Sequence, residues 1–285
     1  MSMKCLHPIV LRNHYYYPCR KCYNCRIART NDWSIRLEDE SIYHENIIFI
    51  TLTYNNESLP SPPQVSKRTA TLFIKKLRKW ISTNCNKTKI KYFLCGEYGE
   101  QGDRPHYHAI IFGWKPDDLL LFKVKNGNIL YTSETLTKIW SYGFTTIANS
   151  SSETIRYCLK YLQKINKPLV HSLEPNFSIM SNSLGLQFIQ ENYQDIIKEE
   201  SIRTKYGKNS IPRYYIKWIH ENIDPTFLVS EKYYNEKSVL KSQLAKKKKE
   251  KYERKHKRTI YESTFESRYR RALINERINE NPILK

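Results

Sequence analysis

Two histidines and a glutamate within residues 91–113, KYFLCGEYGEQGDRPHYHAIIFG, have the types and spacing that suit metal chemistry. Two apolar runs flank a polar, glycine-containing connection, which is the pattern of two antiparallel strands joined by a turn. Side chains alternate between the faces of a strand, so His106 and His108 share one face while Tyr107 points the other way. Closure of this hairpin brings Glu97 opposite His106 or His108.

Two imidazole nitrogens and one carboxylate oxygen suit Mg²⁺ or Mn²⁺, with positions left open for water and substrate. Alternate histidines on a half-exposed strand are also common as ordinary surface residues. It is Glu97, at a distance that a hairpin closes, that favours a metal site here. These ligand types do not distinguish Mg²⁺ from Mn²⁺.

Four of the seven cysteines lie near the N-terminus, and the run PCRKCYNC places three of them at C-x2-C-x2-C spacing. The four are Cys5, Cys19, Cys22 and Cys25. One turn can present three thiolates to one ion, and Cys5 can supply the fourth, so tetrahedral Zn²⁺ is the predicted occupant. An iron–sulfur cluster is the second candidate, and free thiols are the third. Four sulfurs close the coordination sphere, which predicts a structural role.

Residues 150–168, SSSETIRYCLKYLQKINKP, predict a helix that carries candidate nucleophiles. Tyr157 and Tyr161 are four residues apart and therefore lie on one face, and Lys160 and Lys164 each follow a tyrosine by three. A phenol oxygen can attack a phosphodiester whose charge is neutralised by a metal, and a nearby lysine can favour the phenolate. The alternative is a pair of tyrosines that pack against a sheet.

The formal net charge of +20, from 48 Lys and Arg against 28 Asp and Glu, indicates a polyanionic partner, with nucleic acid the first candidate. Aromatic residues make up 13% of the chain, and bases of single-stranded nucleic acid stack on such rings. The alternative is a soluble basic protein without this role. Residues 241–258 hold ten Lys or Arg and predict a basic segment that contacts phosphates.

No apolar run approaches the length of a bilayer span, and the first residues lack the apolar core of a signal peptide. We therefore expect no membrane partner. An odd number of cysteines favours reduced thiols in a cytoplasm over a disulfide framework.

The remaining pattern predicts an α+β fold, with a central antiparallel sheet flanked by helices. Residues 47–54, IIFITLTY, predict a buried central strand, and residues 67–81 predict an amphipathic helix. The expected inward side chains of that helix are Leu72, Phe73, Leu77 and Trp80. A helix over residues 26–43 presents Arg26, Arg29 and Arg36 to phosphates or to solvent.

We predict four segments along the chain. They are a Cys-rich zinc-binding segment at 1–30, a catalytic core at 31–168, an accessory extension at 169–240 and a basic tail at 241–285.

The runs FITLTY, GEYG…RPHYHAIIFG and YCLKYLQK together resemble the HUH endonucleases that initiate rolling-circle replication. Within that superfamily the chain is most similar to the replication initiators of microviruses, in particular the gokushovirus type. PCRKCYNC, the W-x-x-G at 140–143, SIMSNSLGLQF and IPRYY extend the resemblance over residues 5–215. One departure is SNSLGLQF, where the family tends to have a more basic loop that is richer in glycine and proline.

The resemblance implies that His106 and His108 are the HUH pair, that Glu97 is the third ligand, and that Tyr157 and Tyr161 are the nucleophiles. It implies a site-specific nick in one strand of phage replicative-form DNA and a 5′-phosphotyrosine intermediate. The free 3′ hydroxyl then primes a host polymerase. The second tyrosine later cuts the regenerated origin, and the displaced strand is rejoined.

The implied substrates are single-stranded and supercoiled origin DNA in the cytoplasm of a bacterial host. The chain contains no G-x-x-x-x-G-K-[ST] run, so a host helicase would unwind the duplex. The origin sequence, the order of the two tyrosines and the oligomeric state stay open.

Two alternative functions remain. One is a zinc-containing, non-catalytic DNA-binding protein, which would have no need for the metal triad and a tyrosine helix together. The other is a plasmid initiator, relaxase or transposase of the same chemistry. The paired tyrosines argue against the versions that use a single tyrosine.

Overall fold

The computed structural model describes residues 5, 9–10, 16–85, 88–99, 102–125, 128–150, 152–160 and 173–228. The predicted basic tail lies outside these residues. The chain divides into two compact units, which are described separately. One is Met1–Asp32 with Ile189–Lys285, and the other is Trp33–Phe188.

The strands are β1 (Ile9–Val10), β2 (Tyr16–Tyr17), β3 (Ile47–Tyr54), β4 (Lys91–Tyr98), β5 (Pro105–Phe112), β6 (Leu120–Lys125), β7 (Asn128–Thr132), β8 (Gly143–Asn149), β9 (Phe177–Met180), β10 (Ile202–Thr204) and β11 (Gly207–Asn209). The helices are α1 (Tyr23–Ser41), α2 (Lys67–Asn84), α3 (Glu134–Trp140), α4 (Ser152–Lys160), α5 (Leu186–Glu199) and α6 (Arg213–Asn222), followed by a 3-10 turn at Pro225–Leu228.

Seven strands of the unit Trp33–Phe188 form one antiparallel sheet in the order β6-β7-β8-β3-β5-β4-β9. The prediction of an α+β fold with a central antiparallel sheet is therefore confirmed. The strand predicted to be central, β3, lies inside the sheet between β5 and β8. The edge strand β9 comes from the segment predicted as an accessory extension, and the division into four segments stays a prediction.

One face of the sheet is covered by α2 and α3 and forms the larger apolar core. Ser66 caps α2 by accepting a hydrogen bond from the Thr69 N–H at 3.2 Å, and Ser133 caps α3 in the same way. The buried side chains of α2 are Ala70, Phe73, Ile74, Leu77 and Ile81. The prediction that Leu72 points inward is wrong, since this side chain is 40% exposed and lies on the flank of the helical stripe.

The opposite face is partly covered by α1 and α4, whose apolar side chains meet Phe49, Phe93, Ile110 and Phe112 of the sheet. Arg36 of α1 is buried there. Its Nε and one terminal nitrogen donate to the Leu184 carbonyl at 3.1 and 3.0 Å, and its guanidinium lies 4.2 Å from the Trp33 ring centroid. The prediction that Arg36 faces phosphates or solvent is therefore wrong, because the side chain anchors a distant loop.

The other unit contains the paired strands β1–β2 and β10–β11 and the helix α6. Tyr193 of α5 and Trp218 of α6 pack their rings with centroids 6.0 Å apart. Among the described helices of the chain, none has the length and apolar character that crossing a membrane requires.

Gly143 begins β8 at a point where no side chain fits. Its φ of +146° is a conformation that residues with a Cβ rarely adopt. A Cβ there would lie 2.3 Å from the Asn55 nitrogen and 2.5 Å from the Thr53 carbonyl oxygen. The close approach lets the Asn55 N–H donate to the Tyr142 carbonyl at 2.9 Å, which fixes the end of β3 against the start of β8.

We expect Gly143→Ala to lower the free energy of unfolding by about 3 kcal/mol or more, since backbone strain and a backbone clash add together. Gly102→Ala is the matched control, because Gly102 also has a positive φ, +72°, but a Cβ there would meet nothing within 4 Å. Its loss should be only about 1–2 kcal/mol. Urea unfolding measures both values, and equal losses would contradict the steric argument.

Candidate functional site

The register of three neighbouring strands places the predicted metal ligands side by side. Glu97 of β4 pairs directly with His106 of β5, and Cys95 pairs with His108. On the other side of β5, Thr53 of β3 pairs with His106 and Thr51 with His108. Directly paired residues of antiparallel strands point to the same face, so these side chains form two adjacent rows on one side of the sheet.

The alternation of β5 explains why this face is chosen. Tyr107, Ala109 and Ile111 are buried in the core under α2, so the intervening residues must point to the opposite face. His106 and His108 are two of those intervening residues. The apolar pattern of β5 thus orients both histidines without any metal.

Glu97, His106 and His108 converge on one point. The Nε2 atoms of His106 and His108 lie 2.8 and 3.2 Å from the same oxygen, Oε1 of Glu97. Glu97 and His108 are buried, whereas the His106 side chain is 18% exposed. The three side chains could hold a metal ion, since their candidate ligand atoms lie within 4.8 Å of one another. Their role as ligands stays a prediction.

The second nitrogen of each imidazole has its own partner. His106 Nδ1 lies 3.0 Å from the Arg104 carbonyl oxygen, which can only accept, so Nδ1 carries the hydrogen and Nε2 is available as a ligand. His108 Nδ1 lies 3.0 Å from the Thr51 hydroxyl, which can accept in the same manner. The Phe49 ring stacks on His108 with centroids 5.3 Å apart. Such partners fix the tautomer and orientation of metal-binding histidines.

The electrostatics of the triad favour an ionised carboxylate. Burial by itself would raise the pKa of Glu97, but the hydrogen bonds from His106 and His108 outweigh it and lower that pKa to about 2. A lowered pKa means that the ionised form stabilises the fold above the ordinary glutamate pKa. This contribution is lost as the pH falls toward 2. Glu97 is therefore a charged, cation-binding group throughout the neutral range.

Helix α4 packs on the same face of the sheet as the triad. Ile155, Cys158 and Leu159 are buried there, and Cys158 Sγ lies 3.7 Å from Cys95 Sγ. Because Cys95 is paired with His108, α4 passes beside the row that holds this histidine.

The predicted nucleophiles and their lysines belong to this region of the chain. Tyr157 and Lys160 lie within α4, whereas Tyr161 and Lys164 lie outside the described residues. All four roles stay predictions.

The four N-terminal cysteines also converge, in the other unit. Sγ of Cys5 lies 3.8 Å from Sγ of Cys22, and Sγ of Cys19 lies 3.9 Å from Sγ of Cys25. A tetrahedral site with Zn–S bonds of about 2.3 Å places its sulfurs about 3.8 Å apart. All four sulfurs lie within 4.8 Å of one another and could hold a metal. This compact arrangement favours a single ion, because a cluster would distribute the thiolates over several irons.

The backbone around these cysteines favours a thiolate. Burial raises the pKa of Cys19, but N–H groups of Cys22 and Lys21 donate to its sulfur, and the net effect lowers that pKa to about 6. Burial raises the pKa of Cys25 above its ordinary value. Cys19 is therefore the sulfur best prepared to bind a cation, since the thiolate is the ligand form.

A family model for replication-associated proteins of the ORF2 type matches residues 47–166. The chain is also 31% identical over 218 residues to replication-associated protein VP4 of Bdellovibrio phage phiMH2K, a match that covers 73% of this chain and 69% of that protein. The chain belongs to the family of phage replication-associated proteins. The resemblance to microvirus replication initiators is therefore confirmed at the level of the family.

Two further members of the family show similar coverage. Replication-associated protein ORF2 of Spiroplasma virus 4 is 33% identical over 212 residues, which are 70% of this chain and 66% of that protein. Replication-associated protein ORF4 of Chlamydia phage 1 is 27% identical over 229 residues, 76% of this chain and 57% of that protein. No solved structure matches the chain. The family model spans the triad and residues 157–164, whereas the N-terminal cysteines lie outside it.

The sequence interpretation missed Thr51 and the Arg104 carbonyl as partners of the histidines. A signal for Thr51 was present in FITLTY, where two threonines alternate with apolar residues on the strand that pairs with β5. The carbonyl of Arg104 left no signal, because a backbone oxygen has no sequence identity.

We expect Thr51→Val to weaken Mn²⁺ binding by about 10- to 100-fold, since it removes the oxygen that faces His108 Nδ1. Thr51→Ser should bind Mn²⁺ like the parent protein because it keeps that oxygen. Thr53→Val is the matched control, since the described contacts of its hydroxyl include neither histidine. Isothermal titration calorimetry gives the affinities, and thermal unfolding checks the fold. Unchanged Mn²⁺ affinity in Thr51→Val would refute the assignment.

We expect Cys22→Ser to lower the zinc content by one ion per chain and to lower the Tm by about 5 °C or more, because a structural zinc contributes directly to folding. Cys85→Ser, outside the cluster, should change neither value. Elemental analysis and thermal unfolding measure the two effects. Equal zinc content in Cys22→Ser and the parent protein would exclude the site, and iron with visible absorption would identify a cluster instead.

Proposed function

We propose that this protein is a rolling-circle replication initiator that nicks one strand of phage replicative-form DNA at the origin. The observation that carries the proposal is the convergence of two imidazole Nε2 atoms on one buried carboxylate oxygen, on the face of the sheet where α4 packs. Membership of the phage replication-associated family supports the biological setting. The reaction class is metal-assisted attack of a tyrosine on a phosphodiester.

Glu97, His106 and His108 would hold Mg²⁺ or Mn²⁺, and a bound ion of this kind polarises a phosphodiester and neutralises its developing charge. The protein supplies the orientation. The Arg104 carbonyl and the Thr51 hydroxyl hold the two imidazoles by their Nδ1 atoms, and the low pKa of Glu97 keeps the carboxylate charged. The exposed side of His106 leaves an approach for DNA.

In the proposed step the Tyr157 hydroxyl attacks the scissile phosphorus. The new P–O bond joins Tyr157 to the 5′ end, the bond from phosphorus to the 3′ oxygen breaks, and the phenol proton passes to that 3′ oxygen. Lys160 favours the phenolate of Tyr157. Tyr161, assisted by Lys164, repeats the reaction at the regenerated origin, and the displaced strand is rejoined.

Tyr157 is proposed as the first nucleophile because it lies closer to the start of α4, where the helix dipole favours an anionic phosphate. The catalytic core would be residues 31–168. The four-cysteine site would hold a structural Zn²⁺, residues 169–240 would form an accessory extension, and the basic tail at 241–285 would add salt-dependent affinity for phosphates. A host helicase and polymerase would complete replication in the bacterial cytoplasm.

The test is cleavage of supercoiled replicative-form DNA and single-stranded origin oligonucleotides, with and without Mn²⁺, on denaturing gels. We expect a Mn²⁺-dependent nick with a protein-linked 5′ end. Glu97→Gln should slow it at least about 100-fold, since one electrostatic contribution of this kind is worth that much. The double variant Tyr157→Phe/Tyr161→Phe should abolish it.

His44→Gln is the matched control for Glu97→Gln. His44 forms another histidine–carboxylate contact in the described part of this unit, 2.7 Å from the buried Glu40, and that contact lies outside the triad. The variant should nick at the parent rate. Tight DNA binding without cleavage on every origin-containing substrate would instead favour the zinc-containing DNA-binding protein. Initial nicking by Tyr157→Phe but not by Tyr161→Phe would reverse the order of the tyrosines.

A further inference from the structure

Phe144 is a large apolar side chain left in solvent on an interior strand of the sheet. It is 68% exposed, although β8 lies between β7 and β3. Its neighbours on the strand are covered, since Thr145 and Ile147 are 4% and 1% exposed on the side of the larger core. Aromatic side chains are usually buried when they lie on an interior strand, so the exposure of this one calls for a ligand.

The strand register connects Phe144 directly to the metal triad. Phe144 pairs with Thr53, Thr53 pairs with His106, and His106 pairs with Glu97. Directly paired residues share a face, so the four side chains form one row across β8, β3, β5 and β4. Neighbouring strands are about 4.8 Å apart, which puts the phenyl group about 10 Å along the row from His106.

Two rows further along the strands, the same face is closed. There Ala148, Phe49, Ile110 and Phe93 form the next apolar row but one and pack under α1 and α4. The intermediate row contains Thr146, Thr51 and His108. The face therefore changes from a covered apolar core to an open surface, and Phe144 lies at the open end beside the triad.

The polar groups of this open end suit an anionic chain. Arg104 lies two residues before His106, and its guanidinium is held in place by hydrogen bonds of 2.9 Å to the Tyr54 carbonyl and to Asn56 Oδ1. Thr53 separates Phe144 from His106 and presents a small polar side chain. An exposed aromatic ring, a fixed cation and a small polar spacer on one surface are the elements of a single-stranded DNA site.

We propose that Phe144 stacks on a base of single-stranded DNA and thereby guides the strand along the row to the metal triad. The identity of the ligand rests on the proposed function, whereas the stacking role can be tested without cleavage. A ring in this position would hold a base a few nucleotides or less from the phosphate at the triad. It would favour melted origin DNA over duplex, since paired bases do not present their faces.

The test measures binding of a fluorescent single-stranded oligonucleotide of about 16 nucleotides, and of its duplex, by anisotropy in EDTA, where cleavage does not occur. Phe144→Ala should weaken single-strand binding roughly 5- to 100-fold, the effect of one stacked base, and leave duplex binding unchanged. Phe144→Trp should retain single-strand binding. Phe122→Ala is the matched control, because Phe122 is 54% exposed but lies on the edge strand β6 outside the row. It should bind like the parent protein.

Single-strand binding by Phe144→Ala at the parent level would overturn the proposal, and so would an equal loss in Phe122→Ala. Nicking by the parent protein is measured in parallel. If the parent protein nicks and Phe144→Ala binds normally, the stacking proposal fails while the proposed function stands. If the parent protein does not nick but Phe144→Ala loses single-strand binding, the proposed function fails while the stacking surface stands.

Discussion

The antiparallel register of β5 between β3 and β4 is the constraint on which the candidate site depends. A shift by one residue would turn His106 and His108 into the apolar core and send Tyr107 to the opposite face. The contacts of Tyr107 resist that shift. Its ring is fully buried, its hydroxyl accepts the Ser66 N–H at 2.8 Å, and the Tyr54 hydroxyl lies 2.9 Å away. A buried tyrosine that points away from the metal ligands thus helps to fix their position.

The sheet separates two surfaces with different roles. Helix α2 carries a row of exposed basic side chains, Lys75, Lys76, Arg78 and Lys79, yet it covers the face opposite to the triad. The face of the triad instead combines an apolar region under α1 and α4 with an open polar region. A net charge of +20 therefore indicates an anionic partner but does not locate the chemistry. The convergence of ligand atoms does that.

The two candidate metal sites differ in the ions that they suit. Glu97 and two imidazoles offer oxygen and nitrogen with room for other ligands, whereas four cysteine sulfurs offer a closed set of soft ligands. Zinc prefers the thiolates, and the harder Mg²⁺ and Mn²⁺ do not. Ligand chemistry alone can therefore direct different ions to the two sites within one chain. The family model covers the first site and ends outside the second, so the two need not share a history.

Local periodicity determined much of this protein from its sequence. Strand alternation predicted the hairpin and a shared face for His106 and His108, and cysteine spacing predicted four sulfurs near one point. These patterns are readable because they follow from backbone geometry over a few residues.

Tertiary structure decided what such patterns do not contain. Arg36 is buried because it donates to the Leu184 carbonyl, 148 residues away, and Thr51 meets His108 only through pairing of β3 with β5. Leu72 is exposed because the exact rotation of α2 depends on the sheet beneath it. In each case the partner comes from a distant part of the chain, and only the folded packing brings the two together.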